Sequence, residues 1–194
     1  MAHLVDYIRE YYPGWLGYKE YPADKTAVVG RVIEPWGLLG NFAPSPLTVD
    51  GVPFDCTEKL FQVMQFSAPD ARRDIYSQPR SQAIKRKANH YKTVGAARED
   101  WGRIFIDAMK FCLMQKYEQC DAFRKELERS KGLFIVEKEA NSKRPAGAWS
   151  AKLSEDGTKW TGPNIMGRLL MQLRDNGTLT YNLPENVMNF SDLA

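Results

Sequence analysis

The sequence predicts an α+β protein: a single compact, mostly helical domain spanning residues 1–194, with about six helices around a few short strands. Three observations predict it. Helix-period stretches with start and stop signals recur along the chain, the longest running from Trp101 to about Gln119. Between them lie short β-branched or alternating runs, TAVVGRVI, LTVDGVPF and LFIVE. No repeat, low-complexity segment or linker interrupts the 194 residues, a length that fits one sizeable core.

Residues Leu4 to Tyr12 form a short amphipathic helix ended by Pro13-Gly14. Trp15 to Pro22 is aromatic and irregular, a packing arm. Thr26 to Ile33 is a strand. The loop EPWGLLGNFAPSPL follows, dense in Gly and Pro yet carrying Trp36, Leu38, Leu39 and Phe42. Loops with large apolar residues pack on a core or line a site. Asp50-Gly51 between apolar residues then marks a hairpin.

The stretch FDCTEKLFQVMQF, Phe54 to Phe66, reads as a buried helix with Thr57 as its cap and Glu58 in its first turn. Leu60, Phe61, Val63, Met64 and Phe66 spread apolar surface around most of it. Glu58, Gln62 and Gln65, at i, i+4 and i+7, form one polar stripe. Burying such groups unpaired is costly, so the stripe is either a hydrogen-bonded core network or half-exposed helix, or one wall of a pocket.

Asp70 to Gln78 and Arg80 to Lys92 read as two basic helices broken at Pro79. The run QAIKRKANHYK suggests a solvated face more than a nucleic-acid surface. Asp100 caps the long helix. Its apolar stripe runs through Phe105, Ala108, Met109 and Cys112 and ends at Lys116. A lysine so placed either snorkels outward or is buried with a lowered pKa.

Asp121 to Lys131 is a helix closed by Gly132, and Leu133 to Glu137 is a short buried strand. Asn141 to Asp156 is a polar loop whose one large apolar side chain is Trp149. Gly157 to Gly162 turns into the last helix, Pro163 to Arg174, with Pro in the first turn and Asn176-Gly177 as its stop. The tail from Thr178 is weakly patterned.

Composition narrows the function classes. Hydrophobic content of 43% and charge of 26% are ordinary for a soluble globular protein, and the net charge of +3 is far from that of a protein holding duplex DNA by charge alone. Cys56, Cys112 and Cys120 have no paired ligand spacing and read as reduced, mostly buried thiols. With only His3 and His90, histidine-based zinc sites and Ser-His-Asp triads are disfavoured. No metal or cofactor is expected. The amino terminus lacks a signal layout and no apolar run reaches membrane-spanning length, so a soluble, cytoplasmic protein without a membrane partner is expected.

Three segments together resemble the NADAR family, to which the YbiA-like N-glycosidases belong. The first is WGLLGNFAPSPLTVDGVPFDCTEKLFQ, similar to the family's Gly-x-x-Ser-Asn-Phe, Pro, hairpin and Glu-His-Tyr-Phe-Gln. REDW followed by LMQKY resembles its Arg-Pro-Asp-Trp and Lys-Phe. VEKEANSKRPAGAWSAKLSEDGTKWTGPNIMGRLLMQLR resembles its Val-Glu, Trp-Gly, Asp-Gly, Gly-x-Asn-x-Leu-Gly, Leu-Met and Arg. They cover roughly Glu34 to Arg174 in order. The chain departs from the pattern where the family's Gln-Lys-Phe becomes Gln65-Phe66. The Gly-Arg before Arg-Pro-Asp-Trp is not clear, the family's Asp after the Val-Glu strand falls at Asn141 or Ser142, and Trp-Gly becomes Trp149-Ser150.

The resemblance implies a YbiA-like fold and cleavage of a ribose–amine N-glycosidic bond. The substrate would be ADP-ribose on guanine, as nucleoside or within ADP-ribosylated DNA or RNA, or a ribosylamino-pyrimidine phosphate of riboflavin synthesis. An inactive ADP-ribose or NAD binding module is the alternative that Gln65 keeps open. By the resemblance, Lys116 is the candidate Schiff-base nucleophile and Glu58 the acid–base or cation-stabilising carboxylate. Trp36, Phe42, Trp101 and Trp149 are candidates to stack on a base, with packing as the default for each tryptophan. Asn41, Gln62, Asp156 and Asn164 are candidate hydroxyl contacts, and the Gly162-Pro163-Asn164 helix start a candidate phosphate cradle. Gly40, Phe61 and Glu137 enter as matches to the family's motifs, Glu137 with a structural role as the stronger reading.

Overall fold

The computed structural model describes residues 4–79, 81–141 and 143–193. His3, Arg80 and Ser142, each named above, lie outside them. The described chain is α+β, mostly helical with short strands. It divides into two compact units that interleave in sequence, one of residues up to 40 with 122–179, the other of 41–121 with the residues from 180. No linker composition marks the crossings.

The first unit contains α1 (Leu4–Tyr11), β1 (Lys19–Pro22), β2 (Thr26–Val29), nearly all of α6 (Asp121–Arg129), β5 (Phe134–Glu137), β6 (Lys152–Leu153), β7 (Lys159–Gly162) and α7 (Ile165–Asn176). A three-stranded antiparallel sheet has the order β1-β7-β6, and β2 pairs in parallel with β5. Two segments expected to be irregular are therefore strands. Lys19–Pro22 has a single inward residue, Tyr21, and Lys159–Gly162 supplies its partners across a long sequence separation. Neither carries a local signal strong enough to declare a strand. Tyr21, Val136, Ala151 and Trp160 form a buried cluster. The expected strand Thr26–Ile33 stops at Val29; the chain turns at Gly30, leaving Ile33 85% exposed.

Helix α7 starts two residues later than predicted: Asn164 caps it, and Pro163 lies before the cap and not in the first turn. Asn164 adopts a left-handed conformation (φ 49°) and is fully buried. Its Oδ1 accepts from the Glu137 N–H at 3.0 Å and its Nδ2 donates to the Ile135 carbonyl at 2.9 Å, fastening α7 to β5. A side chain on Gly167, one turn on, would overlap the Ile135 carbonyl and Asn164. Close approach, not turn geometry, requires that glycine.

The second unit contains the hairpin β3 (Leu47–Val49) and β4 (Val52–Phe54), then α2 (Thr57–Met64), α3 (Pro69–Tyr76), α4 (Ser81–Thr93), α5 (Trp101–Gln119) and α8 (Glu185–Met188). Asp50 and Gly51 both have positive φ, the geometry of a tight two-residue hairpin turn. Every residue of α2 is buried, and α3, α4 and α5 all pack against it. The tail is more ordered than its pattern suggests. Phe190 is fully buried with its ring 5.2 Å from Phe54, and Arg72 donates to the Asn189 carbonyl at 2.6 Å.

Both predicted side-chain caps fail for physical reasons. Thr57 is the first helical residue and not the cap, and its Oγ1 is buried without a hydrogen-bond partner among the described residues. The loop does the work instead: the Glu58 N–H donates to the Asn41 carbonyl at 3.0 Å. Asp100 stands at the predicted position but faces Arg98, which donates to both its carboxylate oxygens at 2.9 Å. Among the described residues no helix is long and apolar enough to cross a membrane.

Asn164→Ala should destabilise the protein by about 3 kcal/mol, from two buried hydrogen bonds at roughly 1 kcal/mol each and about 1 kcal/mol for a left-handed residue. Asn164→Gly should lose about 1 kcal/mol less, since glycine adopts that conformation freely. Denaturant melts of both variants measure the difference; equal losses would show that the backbone conformation is not strained.

Candidate active site

The polar stripe of α2 is a chain of side-chain hydrogen bonds. Gln65 Nε2 donates to Gln62 Oε1 at 2.5 Å, and Gln62 Nε2 donates to Glu58 Oε1 at 2.8 Å. The helical spacings of three and four residues put these groups one above the other. Glu58, Gln62 and Gln65 are each at most 5% exposed. The network reading of the stripe is therefore what the structure contains, and it ends on a carboxylate.

That carboxylate faces cations from α4. Lys85 Nζ lies 3.8 Å from Glu58 Oε1 and 4.7 Å from the centre of the Phe42 ring. Lys92, two helical turns from Lys85 on the same side, is held below the ordinary lysine range by burial; Glu58 attracts its ammonium and Lys85 repels it. Cys112 is pushed well up by burial, and Cys56 is raised in the same way; the negative charge of Glu58 adds to both. Sequence reasoning placed Lys85 in a solvated basic run and did not single out Lys92. The available signal was their seven-residue spacing beside buried Ile84 and Ala88, which sets both on the edge of the packed face.

Asn41 sits beside Glu58. Its backbone carbonyl receives the Glu58 N–H, and its Nδ2 reaches the Met109 sulfur at 3.4 Å. Its Oδ1 is buried with no hydrogen-bond partner among the described residues. Phe61 and Trp101 meet with ring centres 5.3 Å apart, a packing pair of α2 and α5. Phe42 is half-buried, and the face expected to stack on a base carries the Lys85 ammonium.

Lys116 does not snorkel. It is 1% exposed on α5, and burial lowers its pKa to about 7; the neighbouring thiols of Cys120 and Cys56 pull weakly the other way. A substantial fraction is a neutral amine at physiological pH, the state a nucleophile needs.

The remaining predicted residues belong to the first unit. Trp36 is half-buried with the Arg129 guanidinium 3.7 Å over its ring, so that face is already stacked. Gly40 lies where a Cβ would stand 3.3 Å from the Gly37 carbonyl and 3.4 Å from Val29, a tight turn. Asp156 builds the β6–β7 turn: Oδ1 accepts from Ser154 Oγ and from the N–H and hydroxyl of Thr158, which holds its carboxyl down at about 2. A Cβ on Gly162 would stand 2.5 Å from the Ser150 carbonyl. The phosphate cradle at the start of α7 is corrected. The N–H groups of Asn164, Ile165 and Met166 donate to the carbonyls of Ser150, Ala148 and Trp149. Backbone carbonyls occupy the donors a phosphate would need. Trp149 is half-buried in that loop, and Glu137 closes β5, its carbonyl accepting from the Ala151 N–H at 2.8 Å.

The NADAR domain profile matches residues 29–176. The chain belongs to the NADAR family. A riboflavin biosynthesis protein of Vibrio vulnificus (strain YJ016) is 26% identical over 161 residues, 83% of this chain, which spans only 40% of that protein's length. The N-glycosidase YbiA of Shigella flexneri serotype 5b (strain 8401) is 29% identical over 144 residues, 73% of this chain and 82% of YbiA. Among solved structures, the NMR structure of the E. coli protein YbiA matches with a TM-score of 0.63 and 25% identity, covering 78% of this chain and 84% of YbiA. This NADAR chain extends beyond the matched range at both ends, including the tail that packs on α3 and the hairpin.

The buried Lys116 makes a signed prediction for stability. A lysine whose folded pKa is about 7 against an ordinary 10.5 binds fewer protons folded than unfolded between those values. Stability should therefore rise with pH through this window, by roughly 2 kcal/mol between pH 7 and 9. Lys116→Met should flatten the slope. Urea melts across that range test it; an unchanged slope would mean the lysine is not the titrating group.

Proposed function

We propose that this NADAR protein is an N-glycosidase that hydrolyses a ribose–amine N-glycosidic bond, releasing ADP-ribose from guanine in nucleosides or nucleic acid. The name of the YbiA relatives supports the reaction class. The observation that carries the reading for this chain is the Glu58 carboxylate, buried at the end of a hydrogen-bonded side-chain chain and already matched to a cationic group at 3.8 Å. Cleavage at ribose C1 develops positive charge there, and a preorganised carboxylate in a low-dielectric site stabilises it. Asn41 Oδ1 supports a contact to a ligand hydroxyl, and Gln62 fixes the carboxylate's orientation.

Two routes are open to these residues. In the first, the ring opens to an imine at C1 and the neutral Lys116 amine adds there. The base leaves with its own nitrogen, the lysine holds the sugar as a Schiff base, and water restores both the aldehyde and the free amine. In the second, water attacks C1 directly while Glu58 faces the oxocarbenium-like centre. A second substrate reading, a ribosylamino-pyrimidine phosphate, is favoured by the Vibrio relative's riboflavin biosynthesis name.

Incubation with ADP-ribosylated guanosine and with a ribosylamino-pyrimidine phosphate, followed for free base, separates the substrates. Glu58→Gln keeps shape and hydrogen bonding and should lower kcat/KM by about a hundredfold or more. Lys116→Ala should abolish turnover on the first route, and borohydride during turnover should trap ribose on Lys116. An adduct on another residue removes Lys116 from the mechanism, and tight ADP-ribose binding without turnover of either substrate would make the protein a binding module.

A further inference from the structure

The Lys85 side chain occupies a position that a ligand is better suited to fill. Its ammonium lies between two unlike surfaces that attract positive charge, the Glu58 carboxylate at 3.8 Å and the Phe42 ring at 4.7 Å from its centre. Glu58 and Phe42 come from different elements: α2 and the loop before the hairpin. Lys85 comes from a third, and it is the exposed member, with 53% of its side chain in solvent against 7% for Glu58. A long, half-solvated lysine exchanges rotamers readily, whereas Glu58 is fixed by Gln62. The carboxylate and ring are thus the built part of the arrangement, and the lysine the replaceable part.

We propose that Phe42 and Glu58 form a subsite for a ribose-derived cation, and that the Lys85 ammonium fills it as an exchangeable stand-in which the ligand displaces. The ribosyl identity of the ligand rests on the N-glycosidase reading above; the preference for a compact organic cation rests on geometry alone. An aromatic face and a carboxylate together select delocalised or alkylated cations, because the ring attracts charge without needing a hydrogen-bond donor. A sugar oxocarbenium or iminium centre is such a cation. Lys92 remains near Glu58 when Lys85 swings out, so the carboxylate is not left without a counter-charge. Lys85 is then a specificity-determining residue: it competes with cationic ligands and leaves neutral ones almost unaffected.

Isothermal titration at pH 7 with iminoribitol, a protonated pyrrolidine analogue of ribose, tests this without any turnover. The control is anhydroribitol, the same ring with oxygen in place of the ammonium. Lys85→Met should bind iminoribitol about tenfold more tightly than the unaltered protein, the gain expected if the ammonium fills the subsite about nine-tenths of the time. Anhydroribitol should change far less. Phe42→Leu in the Lys85→Met background should return much of the gain, which keeps the test informative even if a Glu58 variant unfolds. Unchanged or weaker iminoribitol binding by Lys85→Met overturns the proposal, as does an equal gain for anhydroribitol. Charge-selective binding in a protein that hydrolyses neither substrate above would retain the subsite and discard the glycosidase reading.

Discussion

The second unit depends on one buried polar chain, Gln65 to Gln62 to Glu58, running along the solvent-free length of α2. Apart from Thr57 and Lys59, the rest of that helix is apolar, and α3, α4 and α5 pack against it. Three polar side chains in such surroundings are tolerated only if each has a partner, because an unpaired buried donor or acceptor costs on the order of 1–3 kcal/mol. The glutamines satisfy one another and direct a donor at the carboxylate, whose exposed side is left to cations. The network thereby fixes Glu58 in one orientation while its charge is answered from α4. Stability of the helix and presentation of the carboxylate have the same cause.

Elements with strong internal periodicity were fully legible. The helix Trp101–Gln119 was bounded correctly because nineteen residues of apolar pattern lie between a turn and a non-helical cysteine. The hairpin was legible from Asp50-Gly51, since positive φ at two successive positions restricts the residue types so sharply. What escaped was non-local. The strands β1 and β7 each contain one or two inward residues, and only their mutual pairing makes them a sheet. Caps escaped for a related reason: Thr57 and Asp100 carry the right chemistry, but a loop carbonyl and Arg98 outcompete the local geometry.

The candidate site divides along the same line. Glu58 and Gln62 share one helix, so helical spacing alone predicted that they meet. The predicted roles of Asp156 and the α7 start were read from residue type, and their donors and acceptors turn out to be engaged within the fold. A polar group's availability depends on partners distant in sequence. Lys85 shows the converse. In sequence it is one cation in a basic run, a pattern that solvated helices commonly carry. Only packing of α4 on α2 turns it towards Glu58.

Gln65 connects these observations to the family. In the NADAR pattern that this chain resembles, the helix closes on Gln-Lys-Phe, and Gln65 stands here in place of that lysine. An ammonium at the end of the stripe would place a positive charge on the same helix as Glu58, two turns away. Here the position is a neutral amide that donates to Gln62, and the positive charge near Glu58 comes instead from Lys85 and Lys92 on a different helix. Lys85, on the exposed edge of α4, can swing into solvent without disturbing α2. The carboxylate is held in place by α2, while its counter-charge comes from a half-solvated side chain on another helix.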